Sequence, residues 1–200
     1  KGFVENADKK PQAVIVSYPS NPTTELAGLD FYEELVSFCK KHQIYIISDI
    51  AYCEIYFDEK DKPHSILEVE GAKDIAIEFS TISKTYSMAG CRVGFAAGNK
   101  DLIRTLTKIK SFLDYGSFNP IQIAACDALS EKSDGYLDNL RQTYKKRGDL
   151  MADLLGRGES SYLYEHLVQK QRLFDTIGTY QTSSIDPGLL IVQGQVSDEV

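Results

Sequence analysis

AVIVSYPSNPTTELAGLDFYEELVSFCKKHQIYIIS, residues 13–48, decides the fold. Ala13 to Tyr18 is a short β-branched apolar run, the composition of a strand, and Pro19-Ser-Asn-Pro22 ends it with turn residues. From Leu29 to Lys41 the apolar residues Leu29, Phe31, Tyr32, Leu35, Val36 and Cys39 recur at spacings of three and four, which predicts an amphipathic helix. Ile44 to Ser48 is a second apolar run and a second strand. Strand, helix and strand of these lengths form a βαβ unit, which predicts an α/β fold with a mostly parallel sheet.

The rest of the chain extends that unit. Ile75 to Phe79 reads as a third strand and Arg92 to Ala97 as a fourth. Asp101 to Leu113 carries Leu102, Ile103, Leu106, Ile109 and Leu113 on one helical face, with Asn99 as N-cap. Asp114 to Pro120 is a loop, and Pro120 suits the first turn of a helix running to about Leu129. Tyr136 to about Leu155 is a long charged helix. Gly156 to Ser161 breaks the pattern. Beyond it Tyr162 to Phe174 reads as one more helix and Gly188 to Val192 as a strand, with no chemistry attached. Residues 1–155 are therefore taken as one body and 156–200 as an unassigned tail.

Composition excludes several classes. The 200 residues are 42% apolar and 26% charged, ordinary for a globular protein, with a net charge of −7 and no basic stripe. Nucleic acid and anionic membrane are thus not expected partners. The longest apolar runs are too short to span a bilayer, and the charged opening Lys-Gly-Phe-Val-Glu-Asn is not that of a signal peptide. Cys39, Cys53, Cys91 and Cys126 are scattered without a Cys-x-x-Cys pair, which argues against zinc or a disulfide framework and fits a reducing cytoplasm. His42, His64 and His166 stand alone, so no metal site is expected.

In open α/β sheets ligands bind at the carboxyl ends of the strands. Asn21 follows the first strand, Asp49 and Tyr52 the second, and Thr81, Ser83 and Lys84 the third, while Arg92 opens the fourth. Each has an everyday reading by itself. A lone lysine is nearly always a solvated charge, aspartate and asparagine favour turns, and a tyrosine packs in the core. Jointly those readings are poor.

Pro19-Ser-Asn-Pro-Thr23, Ser48-Asp-Ile-Ala-Tyr52 and Thr81-Ile-Ser-Lys-Thr-Tyr-Ser-Met-Ala-Gly-Cys-Arg-Val-Gly94 resemble the fold-type-I, class I/II aminotransferases that use pyridoxal 5′-phosphate (PLP). Within that family the likeness is closest to glutamate–pyruvate (alanine) aminotransferases, and it continues through Lys110–Phe118 and Tyr144–Arg147. The resemblance covers about residues 11–155 and implies a three-layer α/β sandwich, residues 1–155 being part of the PLP-binding large domain. It implies that Lys84 forms the Schiff base with the cofactor. Thr81, Ser83 and Arg92 would hold the phosphate. Asp49 would keep the pyridine nitrogen protonated. Tyr52 and Asn21 would share the phenolic oxygen, Ala51 would lie against the ring, and Gly90 and Gly94 would relieve crowding near the phosphate loop. The family usually has serine where Thr81 stands, and threonine keeps the hydroxyl.

The implied reaction moves an amino group between an L-amino acid, alanine or glutamate by likeness, and a 2-oxo acid. The freed Lys84 amine, buried among cations, is the expected proton carrier, with Asp49 and Tyr52 beside it. Tyr115 and Gly116 match a loop that reaches the neighbouring subunit of a homodimer. A C–S lyase or decarboxylase on the same fold is an alternative, as is a non-catalytic fragment. A PLP-sensing regulator would carry a basic DNA-binding domain, which the chain does not display. The family's glycine-rich phosphate loop, ring-stacking aromatic and substrate-carboxylate arginine are not identifiable; Arg157 and Arg172 lie in no recognisable context.

Overall fold

The computed structural model describes residues 10–130, 134–182 and 189–196. The described residues fall into two compact units, one within Lys1–Glu54 and Lys62–Asp134, the other within Ile55–Asp61 and Gly135–Val200.

The first unit is α/β. Strands β1 (Ala13–Ser17), β2 (Tyr45–Asp49), β3 (Ala76–Thr81) and β4 (Gly94–Gly98) lie in that order in one sheet. The pairs β1–β2 and β2–β3 are parallel, and β3–β4 is antiparallel. The expected βαβ unit is present, with helix α1 (Leu29–His42) as the crossover. Its buried stripe is Tyr32, Val36 and Cys39, spaced four and three, and this stripe packs with Ile44, Ile46, Ile66, Ala72 and Ala76 as the core. Truncating Tyr32 to alanine there would cost about 3–5 kcal/mol, as for other buried aromatics. Helix α1 stops because Gln43 adopts a left-handed conformation, φ 55°, and the Ile44 amide turns back to the Cys39 carbonyl at 2.9 Å. The next residue starts β2.

The reversed direction of β4 matters for the site. A parallel fourth strand would begin at the amino-terminal edge of the sheet. Here Gly94 pairs with Thr81, so the segment entering β4 arrives at the carboxyl-terminal rim. Glycine is required at 94, where a Cβ would sit 2.7 Å from the Ser80 carbonyl oxygen. The crowding expected at Gly94 is thus with the neighbouring strand, and a Cβ at Gly90 would meet nothing within 4 Å. Short helix α2 (Ile82–Thr85) follows β3 directly. Helix α3 (Lys100–Leu113) packs on β3 and β4 and is capped as expected by Asn99, whose Oδ1 accepts from the Asp101 and Leu102 amides at 3.0 Å. Helix α4 spans Asn119–Ala128, with Pro120 in its first turn. At β1 one sheet face stays open, with Ile15 71% exposed.

The second unit holds helix α5 (Asp134–Gly156), a π-helical segment Tyr164–Lys170, and the antiparallel pair β5 (Phe174–Thr182) and β6 (Leu189–Val196). The helix expected over Tyr162–Phe174 is replaced by the shorter π-helical stretch, and Phe174 opens a strand instead. The threonines of β5 suit a strand, and pairing with β6 supplies the backbone partners that the local pattern does not reveal. The Gly188 start of the expected last strand lies outside the described residues.

Candidate functional site at the carboxyl rim of the sheet

Three parallel strands end on one rim, and the antiparallel fourth starts there. Asp49 is the last residue of β2 and is exposed. Its backbone carbonyl accepts from the Tyr18 amide at 3.2 Å, tying the β1 turn to the β2 end. Its Oδ1 accepts from the Ala51 amide at 3.1 Å, an aspartate turn that orients the carboxylate. Ala51 is half-buried in that turn.

Tyr52 stands one residue further. The Asn21 side-chain amide donates to its hydroxyl at 3.0 Å, across 31 positions of sequence. The Lys84 ammonium lies over the same ring, 5.4 Å from its centre, a cation–π contact. Helix α2 aims Lys84 outward because its other residues anchor it: Ile82 is fully buried, Thr85 is 6% exposed, and the Thr85 hydroxyl donates to the Thr81 carbonyl at 3.2 Å. Lys84 is itself exposed, so the burial expected around it is not supplied by the described residues. Asn21, Tyr52 and Lys84 are brought into contact, with Asp49 three residues from Tyr52.

The hydroxyl and guanidinium groups expected to hold phosphate also have partners within the chain. Thr81 caps α2: its Oγ1 accepts from the Ser83 amide at 3.1 Å and lies 2.8 Å from the Val93 carbonyl and 2.9 Å from Ser83 Oγ. Its single proton serves one of those acceptors. Arg92 has a left-handed backbone, φ 54°, and its Nη1 donates to the Ala89 carbonyl at 3.1 Å. Both the Ser83 hydroxyl and the Arg92 guanidinium belong to segments that meet at the Thr81–Gly94 pair.

Cys53 stands next to Tyr52 and is half-buried. Burial first, then the charges of Glu54 and Glu78, push its thiol up to about 11 against the opposing Ser80 hydroxyl. The residue that sequence reasoning missed is Glu78, in the middle of β3 and 6% exposed. Its signal was available, since Ile75-Ala-Ile-Glu-Phe79 puts a lone carboxylate inside an apolar strand.

Comparison with known proteins gives consistent answers. The family Aminotransferase class I and II matches residues 3–169. An LL-diaminopimelate aminotransferase of Nitratidesulfovibrio vulgaris (Miyazaki F) is 47% identical over 148 residues, 74% of this chain and 38% of that protein. The glutamate–pyruvate aminotransferase AlaC of Escherichia coli is 41% identical over 156 residues, 78% of this chain and 37% of its own length. Among solved structures, apo BacF from Bacillus subtilis superposes with a TM-score of 0.67 at 36% identity, covering 75% of this chain and 38% of BacF. The chain therefore spans under two-fifths of the length of these relatives. With Lys84, Asp49, Tyr52 and Asn21 gathered at the rim and the family match running through all of them, the chain belongs to the class I and II aminotransferases.

Proposed function

We propose that this chain carries the cofactor-holding part of a PLP-dependent aminotransferase that moves an amino group between an L-amino acid and a 2-oxo acid. The observation that carries the reading is the Lys84 ammonium over the Tyr52 ring, with Asn21 bonded to the Tyr52 hydroxyl. An amine, a phenol, an amide and a carboxylate on one rim are the donor set that PLP requires, and the residues fit it. Bound there, PLP would act as an electron sink for the substrate α-carbon.

The chain's own residues divide the remaining work. Lys84 attaches the cofactor and carries a proton at Nζ. Asp49 opposes the pyridine nitrogen with a carboxylate whose orientation the Ala51 amide sets. Tyr52 and Asn21 offer a paired hydroxyl and amide to the ring oxygen. Ala51 gives the ring a small neighbour. Ser83 and Arg92 are assigned to the phosphate, the guanidinium having further donors beside the one that bonds the Ala89 carbonyl. Thr81 caps α2 with its oxygen and joins them if its proton turns from the Val93 carbonyl to the phosphate.

Alanine with 2-oxoglutarate is the proposed substrate pair, following the likeness to glutamate–pyruvate aminotransferases. The LL-diaminopimelate relative, 47% identical, supports that diamino acid as a second candidate. A homodimer is proposed on the exposed apolar surface around α3 and α4, where Phe112 is 75% and Tyr115 93% exposed. No helix among the described residues is long and apolar enough to cross a membrane. A cytoplasmic location is proposed on the scattered, unpaired cysteines. Since the chain spans under two-fifths of its relatives, the 200 residues by themselves are proposed to be insufficient for turnover. The test is an assay of the full-length protein with alanine and 2-oxoglutarate. Glutamate formed only when the oxo acid is present supports amino transfer; release of ammonia or carbon dioxide instead indicates a lyase or decarboxylase.

A further inference from the structure

Asp49 is exposed, and one side-chain bond, to the Ala51 amide, orients it. Its position therefore depends on how firmly the end of β2 is held. Backbone bonds hold that end on both sides, Tyr18 amide to Asp49 carbonyl at 3.2 Å and Ile50 amide to Phe79 carbonyl at 2.9 Å. On the sheet face opposite Asp49, a second fastening exists. Ser48 and Glu78 are register partners in β2 and β3, 1% and 6% exposed.

Glu78 Oε2 accepts from the Ser48 hydroxyl and from the Ile66 amide, each at 3.1 Å, and Oε1 accepts from the Ser65 hydroxyl at 2.5 Å. These partners are neutral groups at fixed positions, not a mobile lysine or arginine. A buried carboxylate is tolerated only when such donors satisfy it, so geometry there is tightly determined. The Ser65–Glu68 turn is itself braced. Ser65 Oγ accepts from the Leu67 amide at 3.1 Å, the Ser65 amide donates to Glu68 Oε1 at 2.7 Å, and Ile66 is fully buried. Tyr32 of α1 and Cys53 are titratable groups that feel the charge of this carboxylate.

We propose that Glu78 is a positioning residue for Asp49: it ties Ser48 to the braced Ser65–Ile66 turn and so fixes the strand end from which Asp49 projects. The inference rests on the cofactor role proposed for Asp49. It assigns a task to Glu78, which, among the described residues of the four-stranded sheet, is the charged one that the cofactor set does not use. Glutamine can replace glutamate, its Oε1 accepting from Ser48 and Ile66 while its Nε2 donates to Ser65. The role is thus carried by hydrogen bonds rather than by charge.

Full-length Glu78→Ala, Glu78→Gln and Asp49→Asn proteins test this by three readouts: apo-protein hydrogen exchange at the Ala51 amide, the pH midpoint of bound PLP absorbance, and kcat against KM. Glu78→Ala is expected to speed Ala51 exchange about tenfold. It should also move the absorbance midpoint in the direction that Asp49→Asn moves it, and lower kcat roughly tenfold with little change in KM, the signature of misplacement. Glu78→Gln should return all three to within about twofold of the parent. An Asp49→Asn effect without any Glu78→Ala effect on the midpoint overturns the inference, as does a glutamine variant as impaired as the alanine one. If Asp49→Asn itself changes neither midpoint nor turnover, the cofactor reading of Asp49 fails first. Should Glu78→Ala not fold, Ser48→Ala decides: a smaller shift in the same direction supports the tie, and no shift overturns it.

Discussion

The rim of the sheet and the cleft of the second unit are both rich in charge, yet they differ in how those charges are used. The cleft is a cavity of about 340 Å³ lined by Tyr56, Phe57, Glu59, Asp138, Arg141, Gln142 and Lys145. Its most sheltered cation, Arg141, stacks on the Tyr56 ring at 4.2 Å and pairs with Asp138 at 2.8 Å. Cation, ring and carboxylate satisfy one another there. At the rim, Lys84 touches a ring but is exposed, and Asp49 is exposed with one oxygen held by an amide. Volume alone does not mark a site. At the rim the cation and the carboxylate are held apart from each other, Lys84 over a ring and Asp49 by a backbone amide.

The largest expected effect that distinguishes the two regions is at Lys84. Lys84→Ala in the full-length protein should lower amino transfer on the order of 10⁴-fold, since attachment and proton transfer are both lost. A steady-state assay with alanine and 2-oxoglutarate measures it. Asp49→Asn comes next, with turnover down about a hundredfold while some cofactor is retained, because the ring nitrogen loses its anionic partner. Cofactor content by absorbance beside kcat separates those two outcomes.

Arg92→Ala should act on binding instead. Losing a charge-assisted phosphate contact should weaken PLP affinity by about tenfold to a hundredfold. Equilibrium titration of the apo protein with PLP checks it. If affinity is unchanged, the Ala89 carbonyl is the lasting partner of Arg92, and the phosphate site must be assigned to other groups. The smallest effect belongs to the cleft. Arg141→Ala should leave PLP affinity unaltered and cost about 1–2 kcal/mol of stability through the lost stacking on Tyr56. Denaturant unfolding beside the same titration would show whether the two regions are as independent in function as their chemistry indicates.

Much of the rim was legible in the sequence because its residues lie at strand ends, where period and turn chemistry change together. Asn21, Asp49 and Lys84 each follow an apolar run within a few residues. The direction of β4 was not legible, since an apolar run carries no arrow. The hydrogen-bond partner of Arg92 was hidden for a similar reason: Ala89 becomes its acceptor only once the 89–91 turn forms. The cap that Thr81 makes on α2 was not legible, because it depends on a hydroxyl's orientation and not on its identity. The tail was least legible because β5 and β6 stabilise each other, and neither pattern reveals its partner.

Lys84 is the residue proposed to hold the cofactor. PLP added to the full-length protein, reduced with borohydride and followed by peptide mapping, tests this most directly. The predicted result is a single phosphopyridoxyl label on Lys84, in the peptide that runs from Thr81 toward Arg92. A label on another lysine, or no label at all, would contradict that role of Lys84.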